Sequence, residues 1–301
     1  MADAPTFDLQ SHSLHSDGAL SPTEVVALAA GAGVELLALS DHDTVAGVDE
    51  ALAAGETHGV RVVPTAEISA VHNAYEDLHV LGYGIDHHDA HFLERLEAFR
   101  ADRGTRASRM AEALRELGFT VDESVLDARA KTGKPIGRPH LAAAVIAHPD
   151  NAERLEQEGR ADVSPFIEAY LIPGRAGYRP REFPSVREAI ELIKETGGVA
   201  VWAHPFWDLD DTEEVIATID LFRGWGVDGV EVFYPVHSEE QTRAIAEKCA
   251  AEGLLMTGSS DFHGPEHRLF SGFRTFDLYG LEPNLGPIAA AGGGASTRTL
   301  S

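Results

Sequence analysis

Histidines and carboxylates recur along this chain in short bursts, each next to an apolar run that reads as a strand. Gln10 and His12 open the stretch "DLQSHSLHSDG", which closes on Asp17, and His42 stands in "LSDHDTVAG". Glu67 lies in "AEIS", His79 begins "HVLGYG" and His204 sits in "VWAHP". Glu231 lies on the next apolar run, and Asp261 and His263 share "SSDFH". Imidazoles and carboxylates without thiolates suit Zn, Mn or Fe. Residues i and i+2 of a strand point to one side, so positions 10 and 12 can reach one ion, and Asp261 and His263 have the same spacing. These donors exceed what one ion needs, which implies two or three divalent ions. Gln10 stands where a His-x-His pair would be natural, and its amide oxygen is a poorer donor than imidazole for a Zn-like ion.

Donors scattered over some 250 positions meet only if the fold gathers strand ends. Apolar bursts at Phe7–Leu9, Leu36–Leu39, Val60–Val63, Leu78–Tyr83, Val199–Ala203, Gly229–Val232 and Leu255–Thr257 alternate with helical patterns over much of the chain, the signature of an α/β protein. Ser21-Pro22-Thr23-Glu24 and Ser185-Val186-Arg187-Glu188 are capping boxes that open helices. In a parallel barrel or wound sheet the carboxyl ends of strands gather at one face, where active sites sit. The rhythm breaks between about 91 and 179, where Phe92–Gly118, Pro139–Ala147 and Pro165–Leu171 read as helices. The expected organisation is a barrel from 1–90 and 180–286, a helical insertion at 91–179, and a flexible tail at 287–301 whose Ala/Gly/Ser composition favours disorder.

Charge and cysteine usage narrow the partners. Twenty-four Lys and Arg against 49 Asp and Glu give a formal net charge of −25 over 301 residues. Such a surface repels polyanions, so stable duplex nucleic-acid binding and anionic membranes are not expected. A small anionic substrate is compatible where metals and a few arginines invert the field locally. A single cysteine, Cys249, excludes an internal disulfide and suits the cytoplasm. No secretory signal or membrane-length apolar run is present in the sequence.

In this order, "DLQSHSLHSDG", "LSDHDTVAG", "AEIS", "HVLGYG", "AHP" and "SSDFH" resemble the motifs of the PHP (polymerase and histidinol phosphatase) phosphoesterases, from residue 7 to about 264. The similarity is greatest to the stand-alone branch that hydrolyses nucleoside 3′,5′-bisphosphates, whose relatives include a 5′-to-3′ exoribonuclease. The resemblance implies a distorted seven-stranded (β/α) barrel with a helical insertion and two or three divalent ions (Mn, Zn or Fe). It implies a first ion held by position 10, His12, Glu67 and Asp261, with Glu67 bridging to a second at His79 and His204. Asp17, His42 and His263 form the third group. The family ordinarily has His where this chain has Gln10. The first ion is then held through an amide, shifted towards oxygen-preferring Mn, or lost.

Substrate contacts are expected from the insertion. Arg138, in "IGRPH" at a helix start, suits phosphate recognition; with His140 it resembles the family's Arg-x-His phosphate contacts, and "PGRAGY" with Arg175 and Tyr178 resembles a family loop of the same use. His237, after a strand end, is a candidate proton donor to the leaving oxygen. Trp202 and Phe206 read as packing residues. The implied reaction is attack of hydroxide, generated on a metal, on the 3′-phosphate of a nucleoside 3′,5′-bisphosphate or on the 5′ end of a short oligoribonucleotide. Two alternatives stay open: another phosphomonoesterase, acting on histidinol phosphate or a sugar phosphate, or a noncatalytic nucleotide-binding module whose metal site is impaired at Gln10.

Overall fold

The computed structural model describes residues 5–73, 75–130, 136–180 and 184–291. The chain divides into two compact units, one made of residues 1–94 and 184–301 and the other of Arg95–Phe183.

The first unit opens with β1 (Phe7–Asp8), α1 (Pro22–Gly31), β2 (Leu36–Leu39), α2 (Val48–His58), β3 (Arg61–His72) and β4 (Tyr75–Tyr83). The helices of the other unit follow: α3 (Ala90–Glu116, which begins in the first unit), α4 (Glu123–Ala130), α5 (Arg138–Ile146), α6 (Ala152–Glu158) and α7 (Val163–Tyr170). The first unit resumes with α8 (Val186–Glu195), β5 (Val199–Trp202), α9 (Pro205–Asp208), α10 (Thr212–Gly224), β6 (Gly229–Phe233), α11 (Glu239–Glu252) and β7 (Leu255–Gly258).

Seven strands form one sheet in chain order. It is a nearly closed barrel: Leu9 N–H donates to the Gly258 carbonyl (3.2 Å), and Ser11 bridges Phe262 in parallel, joining the first strand's end to the last. β1, β2 and β3 run parallel, as do β5, β6 and β7, but β4 is antiparallel to both of its neighbours. That reversal follows from the connection. Only a tight turn around Asn73 (φ 53°) joins β3 to β4, too short for a parallel crossover. β3 also continues to His72 rather than ending near Val63. Pro64, which reads as a strand terminator, is accommodated where β3 leaves β2 (Leu39 opposite Pro64) and its carbonyl accepts from Gly84.

Both expected capping boxes form, each with the serine hydroxyl accepting from the N3 backbone and the glutamate reaching back, and Ser238 with Gln241 makes a third. Val25, Val26 and Ala29 of α1 and Ala51 and Ala54 of α2 bury against Leu37, Leu39 and Val62 of the sheet. The residues expected to form a flexible tail begin differently. Ile288 is fully buried and Arg61 donates to the Ala289 carbonyl (2.6 Å), so 286–291 is packed structure, while 292–301 lies outside the described residues.

The second unit has its own core. Phe166 of α7 is fully buried among Leu114, Leu141, Val145 and Leu155, with Phe119 and Tyr170 at ring separations of 5.4 and 5.0 Å. Helices α4 and α6 were not evident from the sequence pattern. Their apolar positions are few, and α6 contributes Leu155 alone to the fully buried set. Because this core is separate, Phe166→Ala should cost about 3–5 kcal/mol, mostly within that unit. Hydrogen exchange should then quicken across 95–180 while the barrel strands keep their protection; equal loss of protection in both would contradict a separate core.

Candidate metal centre

Glu67 is the centre of the site, wholly buried within β3. Its Oε2 accepts from Gln10 Nε2 (2.9 Å) and lies 3.1 Å from His12 Nε2 and 3.7 Å from His42 Nδ1. Its Oε1 lies 2.7 Å from His79 Nδ1 and 3.3 Å from His204 Nε2, and those two imidazoles are 3.2 Å apart. On one side, His12 Nε2 is 3.0 Å from Asp261 Oδ1. On the other, Asp17 faces three imidazoles: His12 Nδ1 at 3.4 Å, and His42 Nε2 and His263 Nε2 at 3.5 Å each. The structure thus brings Gln10, His12, Asp17, His42, Glu67, His79, His204, Asp261 and His263 to one place. His79 arrives from the middle of β4, opposite Ser69 on the antiparallel β3.

The local architecture holds these groups close against their own chemistry. Asp41, beside His42, accepts from Ser13 N–H (2.8 Å), Ser13 Oγ (2.6 Å) and Ser16 Oγ (2.6 Å), tying the first loop to the second. Asp43 accepts from Ser69 N–H (2.9 Å), while its own N–H donates to the Glu67 carbonyl (2.8 Å). Asp8 accepts from the backbone and hydroxyl of Ser260 (2.8 and 2.7 Å), immediately before Asp261. Glu231 accepts from the His204 N–H (2.9 Å) and from Ser259 Oγ (2.6 Å). Gly18 must be glycine here, since a Cβ would lie 2.3 Å from the His12 carbonyl oxygen. Asp43, His204 and Asp261 all adopt positive φ (52°, 25° and 53°), a backbone strain that concentrates at functional sites.

Protonation follows from burial and from these contacts. Burial opposes ionisation of Glu67, but the surrounding imidazoles of His42, His79, His12 and His204 outweigh it and hold the carboxyl well below its usual range. Burial also opposes charging of His12 and His204, yet carboxylates win. Asp261 and Glu67 hold His12 well above its ordinary value, and Glu67 brings His204 to about 9. Burial prevails at His42, pushed down to about 4, and at Glu231, pushed up to about 8. Burial thus works against the charge on Glu231, while Glu67 is an anion ringed by imidazoles.

Divalent cations fit this donor set. Among the described residues, the buried atoms His12 Nε2, His42 Nδ1, His204 Nδ1 and Asp261 Oδ1 have no hydrogen-bond partner, although two of them lie 3.0 Å apart. An unsatisfied buried polar group costs about 1–3 kcal/mol, so four in one place call for a shared electrophile. Donor atoms fall into sets within 4.8 Å of one another: His12, Asp17, His42 and His263; His42, Glu67 and His79; and His12, Glu67 and Asp261. Gln10 stands beside the last set, with its Oε1 accepting from Ser259 (3.3 Å).

His237 is not brought to this place. It is buried, its Nδ1 lies 3.1 Å from the Val232 carbonyl and it packs on the edge of Phe206. Burial pushes it down to about 4, so at neutral pH Nδ1–H serves the carbonyl and Nε2 has no proton to donate. Trp202 and Phe206 are buried packing residues, as expected. The phosphate-binding candidates lie in the second unit. Arg138 begins α5, His140 Nδ1 accepts from Gly137 N–H (3.1 Å), Arg175 donates to the Glu168 carbonyl (3.1 Å), and Tyr178 faces the Arg106 guanidinium.

A cavity of about 540 Å³ opens above the ligand cluster. Its wall includes Tyr234, whose hydroxyl donates to Asp261 (2.7 Å), and Trp207, Arg268 and Phe270, none singled out by the sequence reading. The available signal was position, since Trp207 follows "AHP" and Arg268 follows "SSDFH" by a few residues.

Comparison with known proteins gives the same direction. Residues 8–162 match the PHP domain family. A 5′-3′ exoribonuclease of Haemophilus influenzae is 31% identical over 259 residues, covering 86% of this chain and 90% of that protein. A 3′,5′-nucleoside bisphosphate phosphatase of Chromobacterium violaceum is 32% identical over 260 residues, covering 86% and 87%. A Bifidobacterium adolescentis structure, assigned as a metal-dependent phosphoesterase, superposes with a TM-score of 0.70 at 30% identity, covering 96% of each chain.

Replacing the amide by imidazole tests position 10. Gln10→His should raise Mn or Zn content by up to one ion per chain, measured by elemental analysis of purified protein. Unchanged occupancy would show that the amide does not limit binding there.

Proposed function

The chain belongs to the PHP domain family and is a metal-dependent phosphoesterase, and from that premise we propose that it releases the 3′-phosphate of nucleoside 3′,5′-bisphosphates or acts on the 5′ end of short oligoribonucleotides. The observation that carries the reading is the buried Glu67 carboxylate, both of whose oxygens face imidazoles, amid orphaned donor atoms. Two or three divalent ions of the Mn, Zn or Fe type match its imidazole and carboxylate donors. In this reading Gln10, His12, Glu67 and Asp261 hold one, Glu67, His79 and His204 a second, and Asp17, His42 and His263 a third. When bound, such ions supply Lewis-acid charge for phosphoryl oxygens and lower the pKa of water.

The chain's own residues prepare that chemistry. Glu67 stays ionised although buried because imidazoles surround it. Tyr234 fixes Asp261 by donating to one oxygen, which leaves the other facing His12. Glu231, accepting from the His204 backbone, holds that residue in its strained conformation. Arg138, His140, Arg175 and Tyr178 are assigned to phosphate oxygens by their residue types and by the motifs they stand in. A surface of net charge −25 favours small phosphorylated substrates over long duplexes. Cytoplasmic residence belongs to the same proposal, supported by the lone buried Cys249; among the described residues, no helix is long and apolar enough to cross a membrane.

One observation favours a second reading. The Gln10 amide donates to Glu67, a contact that occupies one of its oxygens and is expected of an impaired, noncatalytic centre. Phosphate release from a panel of esters, with Mn or Zn supplied, separates the two. The proposal expects 3′-phosphate release from adenosine 3′,5′-bisphosphate and little from histidinol phosphate or a sugar phosphate. Reversal of that preference would assign another phosphomonoesterase; no release, with less than about one metal per chain, would establish the noncatalytic module.

A further inference from the structure

The part of the cavity wall outside the ligand cluster has a chemistry that metal binding does not explain. Trp207 and Leu269 are 49% and 45% exposed, and both line the cavity. Trp207 is set there by α9. That single turn begins directly after the strained His204, and Trp207 N–H donates to the His204 carbonyl (2.9 Å). Its indole leans on Phe270, with ring centroids 5.6 Å apart. Phe270 in turn stacks on His267 (8° between planes) and contacts His263 and Tyr234, so the platform is braced against the ligand cluster itself.

The loop that supplies the rest of this wall is folded back on the site. Gly264 has φ 144° and a Cβ there would lie 2.7 Å from the Ala19 Cβ, while His263 N–H donates to the Phe270 carbonyl (3.0 Å). Residues 264–270 thereby close into a compact turn that carries Arg268 to the cavity. Among the described residues that line the cavity, Arg268 is the sole Arg or Lys. No hydrogen bond or ion pair joins it to another described residue, although Asp17, Glu67 and Asp261 line the same cavity. An exposed indole, an aliphatic neighbour and an uncommitted guanidinium beside an anion-activating cluster match one ligand chemistry: a planar heterocycle joined to a phosphate ester. The cavity of about 540 Å³ is within the ~300–1,000 Å³ of sites that enclose small ligands.

We propose that Trp207, Leu269 and Arg268 form the subsite for the part of the substrate that does not react, with a nucleobase lying on the Trp207 indole and the Arg268 guanidinium engaging the same nucleotide. This rests on the phosphoesterase reading above and adds the residues that select a nucleotide over a base-free ester. None of the three is a candidate metal ligand, so their loss leaves the ion-binding donors intact.

Steady-state kinetics of Trp207→Ala, Trp207→Phe and Arg268→Ala on adenosine 3′,5′-bisphosphate, with ribose 5-phosphate as the slow, base-free ester, test it. Stacking on an aromatic side chain is worth about 1–3 kcal/mol, or roughly 5- to 150-fold in affinity. Trp207→Ala should raise KM for the nucleotide within that range, with kcat and the ribose 5-phosphate rate within about twofold of the parent. Trp207→Phe should recover most of the loss, and Arg268→Ala should raise the nucleotide KM about tenfold. Equal effects on both substrates, or none on either, would overturn the assignment. If the parent hydrolyses neither, the reaction reading fails by itself and the subsite is judged by tryptophan fluorescence, since Trp207 is one of three tryptophans and Trp202 is buried. Saturable quenching by adenosine 3′,5′-bisphosphate in the parent but not in Trp207→Ala would sustain the subsite; no quenching in the parent would refute it.

Discussion

A carboxylate with no exposed surface, Glu67, organises this structure. Moving an ion of that size out of water costs several kcal/mol even after the protein relaxes, and the cost is offset only where charge and hydrogen bonds are placed with care. Here His12, His42, His79 and His204 bring nitrogen to its two oxygens, and Gln10 adds an amide. The arrangement is a compromise. Each imidazole has a partner for one nitrogen, yet several buried donor atoms are still unsatisfied. A centre of this kind is stable enough to be built and polar enough to hold cations.

The barrel exists to present that compromise at one place. Parallel strands deliver His12, His42, His204, Asp261 and His263 from their carboxyl ends, as the packing of βα units dictates. The antiparallel β4 breaks the rule and extends it, because a reversed strand supplies His79 from its middle rather than its carboxyl end, directly across from β3. A layer of buried acids then fixes the loops. Asp8, Asp41 and Asp43 accept backbone and serine donors, and Glu231 clamps His204, so acids close to the ligand positions act as supports in the fold.

That distinction marks how far the sequence could be read. Strand ends, the two capping boxes and the donor positions were legible because hydrophobic periodicity and residue chemistry are local properties. The reversal of β4 was not, since an apolar run carries no direction. Pro64 concealed the length of β3 because the proline rule holds for a central ladder, and this residue sits at the point where one partner is exchanged for another. His237 had the chemistry of an acid and a strand-end position, but burial decides its protonation and burial is a tertiary property. Trp207 and Arg268 offered only their nearness to two motifs, for the opposite reason. An exposed tryptophan and arginine carry no periodic signal, and only the short turn of α9 and the folded loop at 264–270 give them a place.

Anomalous diffraction from crystals soaked in Mn tests the central claim most directly. The account predicts at least two anomalous peaks flanking the Glu67 carboxylate, one among His12 and Asp261 and one between His79 and His204. Crystals that show no peak at Glu67, with the Gln10 amide still donating to it, would contradict a metal centre at this position.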